Sequence, residues 1–174
     1  MWYRPKIINK KVIPKTDAFI VCGNHRHFMD QFPVIISTNR VIHWLSKKEY
    51  FEGKYSFFFK SVGCISVDRS SHDGKAKNKA LKYLNRGEAI GLFPEGTRNK
   101  TNNELLEFKK GAVKMAKEAN VPIIPFAITG DFKFRSKNLT LRFGNPIYVN
   151  KNDDIDSLND RLKEVILRLI KKND

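Results

Sequence analysis

An imidazole beside a carboxylate can take a proton from an alcohol, and the chain carries such a pair in Asn24-His25-Arg26-His27-Phe28-Met29-Asp30. On one continuous helix, residues five apart are turned about 140° from each other, so His25 and Asp30 meet only if a loop separates them. Pro33 supplies that break, because proline is tolerated in a first helical turn and not further in. A helix is therefore predicted from about Asp30, with His25 in the loop before it. Asp30 can then fix the tautomer of the ring and leave its other nitrogen as a base. Two alternatives stay open on spacing alone. The histidines can be polar loop residues, or His25, His27 and Asp30 can be partial metal ligands. The remaining histidines, His43 and His72, lie in no ligand cluster, and no metal is expected.

A second candidate segment is Phe93-Pro94-Glu95-Gly96-Thr97-Arg98, which follows an apolar run where the ligand loops of α/β proteins belong. Arg98 offers a planar fork suited to phosphate. Gly96 permits an unusual backbone angle and close approach of a substrate. Glu95 is expected to orient Arg98 or to hold an acceptor hydroxyl. The competing reading is a turn carrying a surface ion pair.

The elements that position these segments follow from hydrophobic pattern. Strands are predicted over Asp17–Cys22 and Val41–Leu45, with another ending near Asp68, and then at Ala89–Phe93, Val121–Ile128 and Leu139–Phe143. Between them, Ala76, Lys79, Ala80, Tyr83 and Leu84 recur at helical spacing, after capping residues Ser71-His72-Asp73 and before the stop Arg86-Gly87. A further helix spans Ala112–Ala119, and residues 154–172 form a C-terminal amphipathic helix with an acidic start and a basic end. Alternation of this kind implies an α/β fold, one domain over residues 1–174, with a mostly parallel central sheet flanked by helices.

With 174 residues, 33 basic against 18 acidic side chains and a net charge of +15, the chain favours an anionic partner: nucleic acid, an anionic bilayer or a phosphorylated substrate. Most of the 13 Phe residues fall on apolar segments that the core is expected to claim, which argues against a single-strand nucleic-acid groove. No nucleic acid is expected as a partner. Cys22 and Cys64 lack CxxC spacing and read as small buried hydrophobes. No apolar run reaches the length of a membrane span, so any membrane contact is expected to be peripheral, with Trp2, Tyr3 and the lysines of residues 1–12 meeting an anionic surface.

Taken together, the two segments resemble the hallmark motifs of the glycerolipid acyltransferases typified by bacterial 1-acylglycerol-3-phosphate acyltransferase. His25 with Asp30 is similar to the family's histidine, four residues, aspartate motif, and Phe93–Arg98 matches its FPEGTR block. Weaker matches extend from about Ile13 to Ile147: Gly63, Ile65, Asp68 and Arg69, then Phe108-Lys109-Lys110-Gly111, then Val121-Pro122-Ile123-Ile124-Pro125. His27 and Asn99 depart from the family, which commonly has Ser at both positions.

The resemblance implies a glycerol-3-phosphate-acyltransferase-like fold. It implies acyl transfer from acyl-CoA or acyl carrier protein to the free hydroxyl of lysophosphatidic acid in phospholipid biosynthesis, with no cofactor. His25 would act as general base oriented by Asp30. Arg69, Glu95, Gly96, Thr97, Arg98 and Lys109, with Lys110 as a neighbour, would hold the acceptor phosphate. Backbone N–H groups around Gly96 would meet the oxyanion. The expected location is the cytoplasmic side of the cell membrane, held peripherally. For the acyl chain, the Phe57-Phe58-Phe59 region and the Val121–Phe126 strand are candidate grooves. Another lyso-lipid or glycerol phosphate is the alternative acceptor, and a basic nucleic-acid-binding module is the rival of a different class.

Overall fold

The computed structural model describes residues 5–54, 56–68, 70, 74–133 and 138–172. Seven strands form one sheet: β1 (Lys6–Ile8), β2 (Phe19–Gly23), β3 (Ile42–Lys47), β4 (Ile65–Val67), β5 (Ala89–Leu92), β6 (Ile123–Thr129) and β7 (Thr140–Phe143). Their order is β1-β7-β6-β2-β5-β3-β4, parallel throughout except for the antiparallel β6–β7 pair. The α/β expectation holds.

Strands β2 and β5 are buried along their whole length, as unbroken apolar runs between two helical layers should be. Behind one face lie α3 (Lys75–Leu84), α4 (Gly111–Ala119) and α5 (Ile155–Lys171), which close a core around Ile20, Ile90, Ile123, Leu162 and Ile166. Each helix stops or starts for a local reason. Asn120 ends α4 in the left-handed conformation, at φ 53°. At α5, the Asp154 carboxylate accepts the Ser157 N–H at 2.8 Å. The expected cap of α3, Ser71-His72-Asp73, lies outside the described residues.

The other face is covered more thinly, by α1 (Gln31–Ile35), α2 (Ser56–Ser61) and short 3₁₀ turns. Here Phe19, Trp44, Phe126 and Phe143 form a second core, with Phe59 and Phe93 against it. The core claims most of the described Phe residues, as expected, with exceptions on this face. Phe19, Phe108, Phe126 and Phe143 are buried, but Phe28, Phe32, Phe57 and Phe58 are exposed, because α1 and α2 are too short to turn every apolar side chain inward. Neither candidate acyl groove forms: Val121, Ile123, Ile124 and Phe126 are core residues, while Phe57 and Phe58 stand out into solvent and Phe59 packs on Phe51. Of residues 1–12, Lys6–Ile8 is built into the sheet edge against β7, while Trp2 and Tyr3 lie outside the described residues. Among the described residues no helix is long and apolar enough to cross a membrane.

Candidate active site

The site forms where β2 and β5 end side by side. Gly23 closes β2 beside Phe126, so near that a Cβ would sit 2.4 Å from the Phe126 carbonyl oxygen; only glycine lets the strand pass. Asn24 follows, buried, with its amide donating to the Ile128 carbonyl at 2.9 Å and accepting the Ile128 N–H at 2.8 Å. That pair of bonds pins the loop to β6 before His25 is reached.

His25 is then held from three sides. Its backbone N–H donates to Glu95 Oε1 at 2.8 Å, and its carbonyl accepts the Asn99 N–H at 2.6 Å. Its ring stacks on Phe93, with centroids 3.9 Å apart and planes 9° from parallel. Nδ1 lies 2.9 Å from Asp30 Oδ2, which also accepts the N–H groups of Arg26 at 2.7 Å and His27 at 2.8 Å. An oxygen taking two N–H bonds is an acceptor toward the ring as well, so Nδ1 carries the proton and Nε2 keeps its lone pair. The side chain is 17% exposed, and Nε2 has no partner among the described residues. As expected from Pro33, Asp30 stands immediately before α1 and His25 in the loop ahead of it.

Glu95 does not play the expected part. It is buried, and its two oxygens accept the N–H groups of His25 and of Leu106, both at 2.8 Å, so neither reaches Arg98 or solvent. Burial pushes its carboxyl above the usual range, against the opposing pull of those two N–H bonds. Gly96 also differs. It sits at φ 68°, but the space where its Cβ would lie is met by the Lys109 side chain, with Cε 2.9 Å away. Its N–H donates to the Phe93 carbonyl at 2.9 Å and is not free for an oxyanion.

The cations divide. Lys109 lies over Gly96, its backbone N–H tied to the Pro94 carbonyl at 2.8 Å. Arg98 and Thr97 are exposed, and Arg98 meets no partner among the described residues. Lys110 turns away to pair with Asp156. Arg69 lies outside the described residues. No group of three or more His, Cys, Asp or Glu among the described residues is placed to hold a metal ion. His27 instead stacks on Phe132 and accepts the Met29 N–H at 3.3 Å.

Sequence reading missed the side chains that brace the loop. In the sequence Asn24 is only the first residue of the motif segment, and Asn99 only a departure from the family pattern. Yet Asn99 is buried, donates to the Asn103 carbonyl and accepts from Thr101, holding the loop whose N–H grips His25. A signal existed in both being amides beside a motif, since such residues bond local and remote backbone.

A family model described as acyltransferase matches residues 4–129, both motifs included. The chain belongs to the acyltransferase family. This acyltransferase is 29% identical over 149 residues to the 1-acyl-sn-glycerol-3-phosphate acyltransferase of Bacillus subtilis, covering 82% of this chain and 73% of the relative. It is 32% identical over 149 residues to the protein of that name from Borreliella burgdorferi, covering 84% of this chain and 59% of the relative. The solved 1-acyl-sn-glycerophosphate (LPA) acyltransferase, PlsC, from Thermotoga maritima shares its fold at a TM-score of 0.76 and 24% identity, over 94% of this chain and 70% of that one.

Proposed function

We propose that this acyltransferase moves a fatty acyl group from acyl-CoA or acyl carrier protein to the free hydroxyl of 1-acylglycerol 3-phosphate, giving phosphatidic acid. His25 Nε2 takes the hydroxyl proton as the oxygen attacks the thioester carbonyl. The C–O bond forms, the C–S bond breaks, and the imidazolium returns the proton to the departing thiolate. Asp30 holds the ring in the required tautomer and stabilises the imidazolium. Arg98 and Lys109, together with Arg69, hold the acceptor phosphate and so bring its hydroxyl to Nε2. No cofactor takes part beyond the acyl donor. The acceptor is a lipid, so the enzyme works at a membrane surface, peripherally on its cytoplasmic side.

One observation carries this reading: a proton-accepting Nε2 with no partner among the described residues, on a ring fixed by Asp30 and clamped by the segment that also presents Arg98. The names of the relatives supply the acceptor. The test is transfer of a radiolabelled acyl group from acyl-CoA and from acyl carrier protein to lysophosphatidic acid and, separately, to glycerol 3-phosphate or another lyso-lipid. Phosphatidic acid formed from lysophosphatidic acid is expected. Transfer by the folded protein only to a different acceptor, or to none, overturns the assignment of substrate.

A further inference from the structure

Among the described residues, nine of the ten strongly exposed large apolar side chains fall between Phe28 and Val62. They do not form an ordinary scatter. Phe28, Phe32, Ile35 and Ile36 recur at helical spacing along α1 and the residues beside it, all pointing outward, while Pro33 and Val34 of the same helix are buried. On α2, Phe57 is 82% exposed, and Phe58 and Val62 are exposed with it, while Phe59 packs inward on Phe51. Both helices are thus apolar on the side away from the core. Val34 and Phe59 join the same core cluster, so the two helices lie on one face of the sheet. A helix apolar all round belongs in an apolar medium.

We infer that this face, built from α1, α2 and the residues flanking them, is the surface that docks on an anionic lipid bilayer. Charge complementarity selects that occupant. Interleaved with the apolar side chains are the exposed cations Arg26, Lys47, Lys48, Lys54 and Lys60, against two exposed carboxylates, Glu49 and Glu52. Apolar side chains flanked by lysines and arginines suit a headgroup boundary, where the rings and methyls enter and the cations meet lipid phosphate. Four of the nine, Ile35, Ile36, Val41 and Val62, offer no ring for a base to stack on, so the mixed patch suits acyl chains better than a run of stacked bases. The surface also runs to the catalytic loop. Phe28 packs on His27 at 4.6 Å between ring centroids, two residues from His25. Docked this way, the protein holds its base next to the layer in which a lipid acceptor lies. This consequence rests on the proposed function, but the docking itself does not.

The test is co-sedimentation with vesicles of equal phosphatidylglycerol and phosphatidylcholine, and with phosphatidylcholine alone. It compares the wild type, the double variant F57S/F58S and the control Y148S, which removes the one strongly exposed aromatic outside the patch among the described residues. Wild type and Y148S should pellet with the anionic vesicles and less with the neutral ones. F57S/F58S should bind at least tenfold more weakly, the scale expected when two phenyl groups no longer leave water. Its thermal unfolding should match wild type, because both side chains are exposed. Equal binding by F57S/F58S and wild type overturns the proposal. So does a wild type that ignores vesicles but binds single-stranded RNA, or one whose patch is covered in a dimer that F57S/F58S dissociates. Acyl transfer to a short-chain lysophosphatidate dispersed as monomers separates the two claims. F57S/F58S should keep it, whereas loss of all transfer by a wild type that still docks counts against the proposed reaction alone.

Discussion

The two halves of the candidate site are held in opposite ways. On the base side, every polar group around His25 is spent on another part of the protein: Asp30 on the ring and two N–H groups, Glu95 on two more, Asn24 on β6, Asn99 on its own loop. On the cation side, Arg98 and Thr97 stand exposed, and Arg98 has no partner among the described residues. Under the proposed mechanism the base must be in position before the acceptor arrives, which accounts for an orientation fixed within the fold. Under the same proposal the cations would gain their geometry from the acceptor phosphate, and an internal ion pair would compete with it.

Substitutions on the two sides should therefore fail differently. D30N replaces the oxygen that receives three N–H groups, or turns an amide nitrogen toward them. It should lower kcat on the order of 10³-fold while the acceptor KM changes little, read from steady-state transfer. R98Q should do the reverse, raising KM for a phosphate-bearing acceptor by roughly 10- to 100-fold with the fold unchanged in thermal melts. Equal damage to kcat and KM from both substitutions would dissolve the distinction.

E95Q belongs with the base side although its residue sits in the second motif. It sets an amide donor against one of two backbone donors, and should cost roughly 1–3 kcal/mol of stability in urea unfolding together with about tenfold in kcat. Its pH dependence has a definite sign. Burial raises the folded carboxyl above its unfolded value, so the folded state binds that proton more tightly. This adds stability below the unfolded value that fades as pH climbs through the folded one. The non-titrating E95Q should then trail wild type by more at about pH 4 than at pH 7. At the small end, K110Q should leave transfer within about twofold, since Lys110 is exposed and paired with Asp156 away from Gly96.

How far the sequence reached follows the same division. The His25–Asp30 pairing was legible because both partners lie within one turn's reach and Pro33 announces the break between loop and helix. The seven-stranded order was not, because β1 is three residues long and its partner β7 is more than 130 residues away, with no local trace of the pairing. Glu95 misled for a related reason. A motif carboxylate beside an arginine reads as its partner, whereas the bond actually made runs 70 residues back to the His25 backbone. The Phe57-Phe58-Phe59 region reads as a candidate acyl groove because composition reports that side chains are apolar, and not whether α2 is long enough to bury them.

The claim on which all of this depends is that His25 Nε2 is the base. Replacing His25 by Ala removes the ring but leaves its backbone bonds to Glu95 and Asn99 available, so the loop should keep its path. Single-turnover acyl transfer to lysophosphatidic acid by H25A and wild type, each checked for the same thermal midpoint, should differ by about 10²- to 10⁴-fold. A correctly folded H25A that retains transfer within a few-fold of wild type would contradict the account.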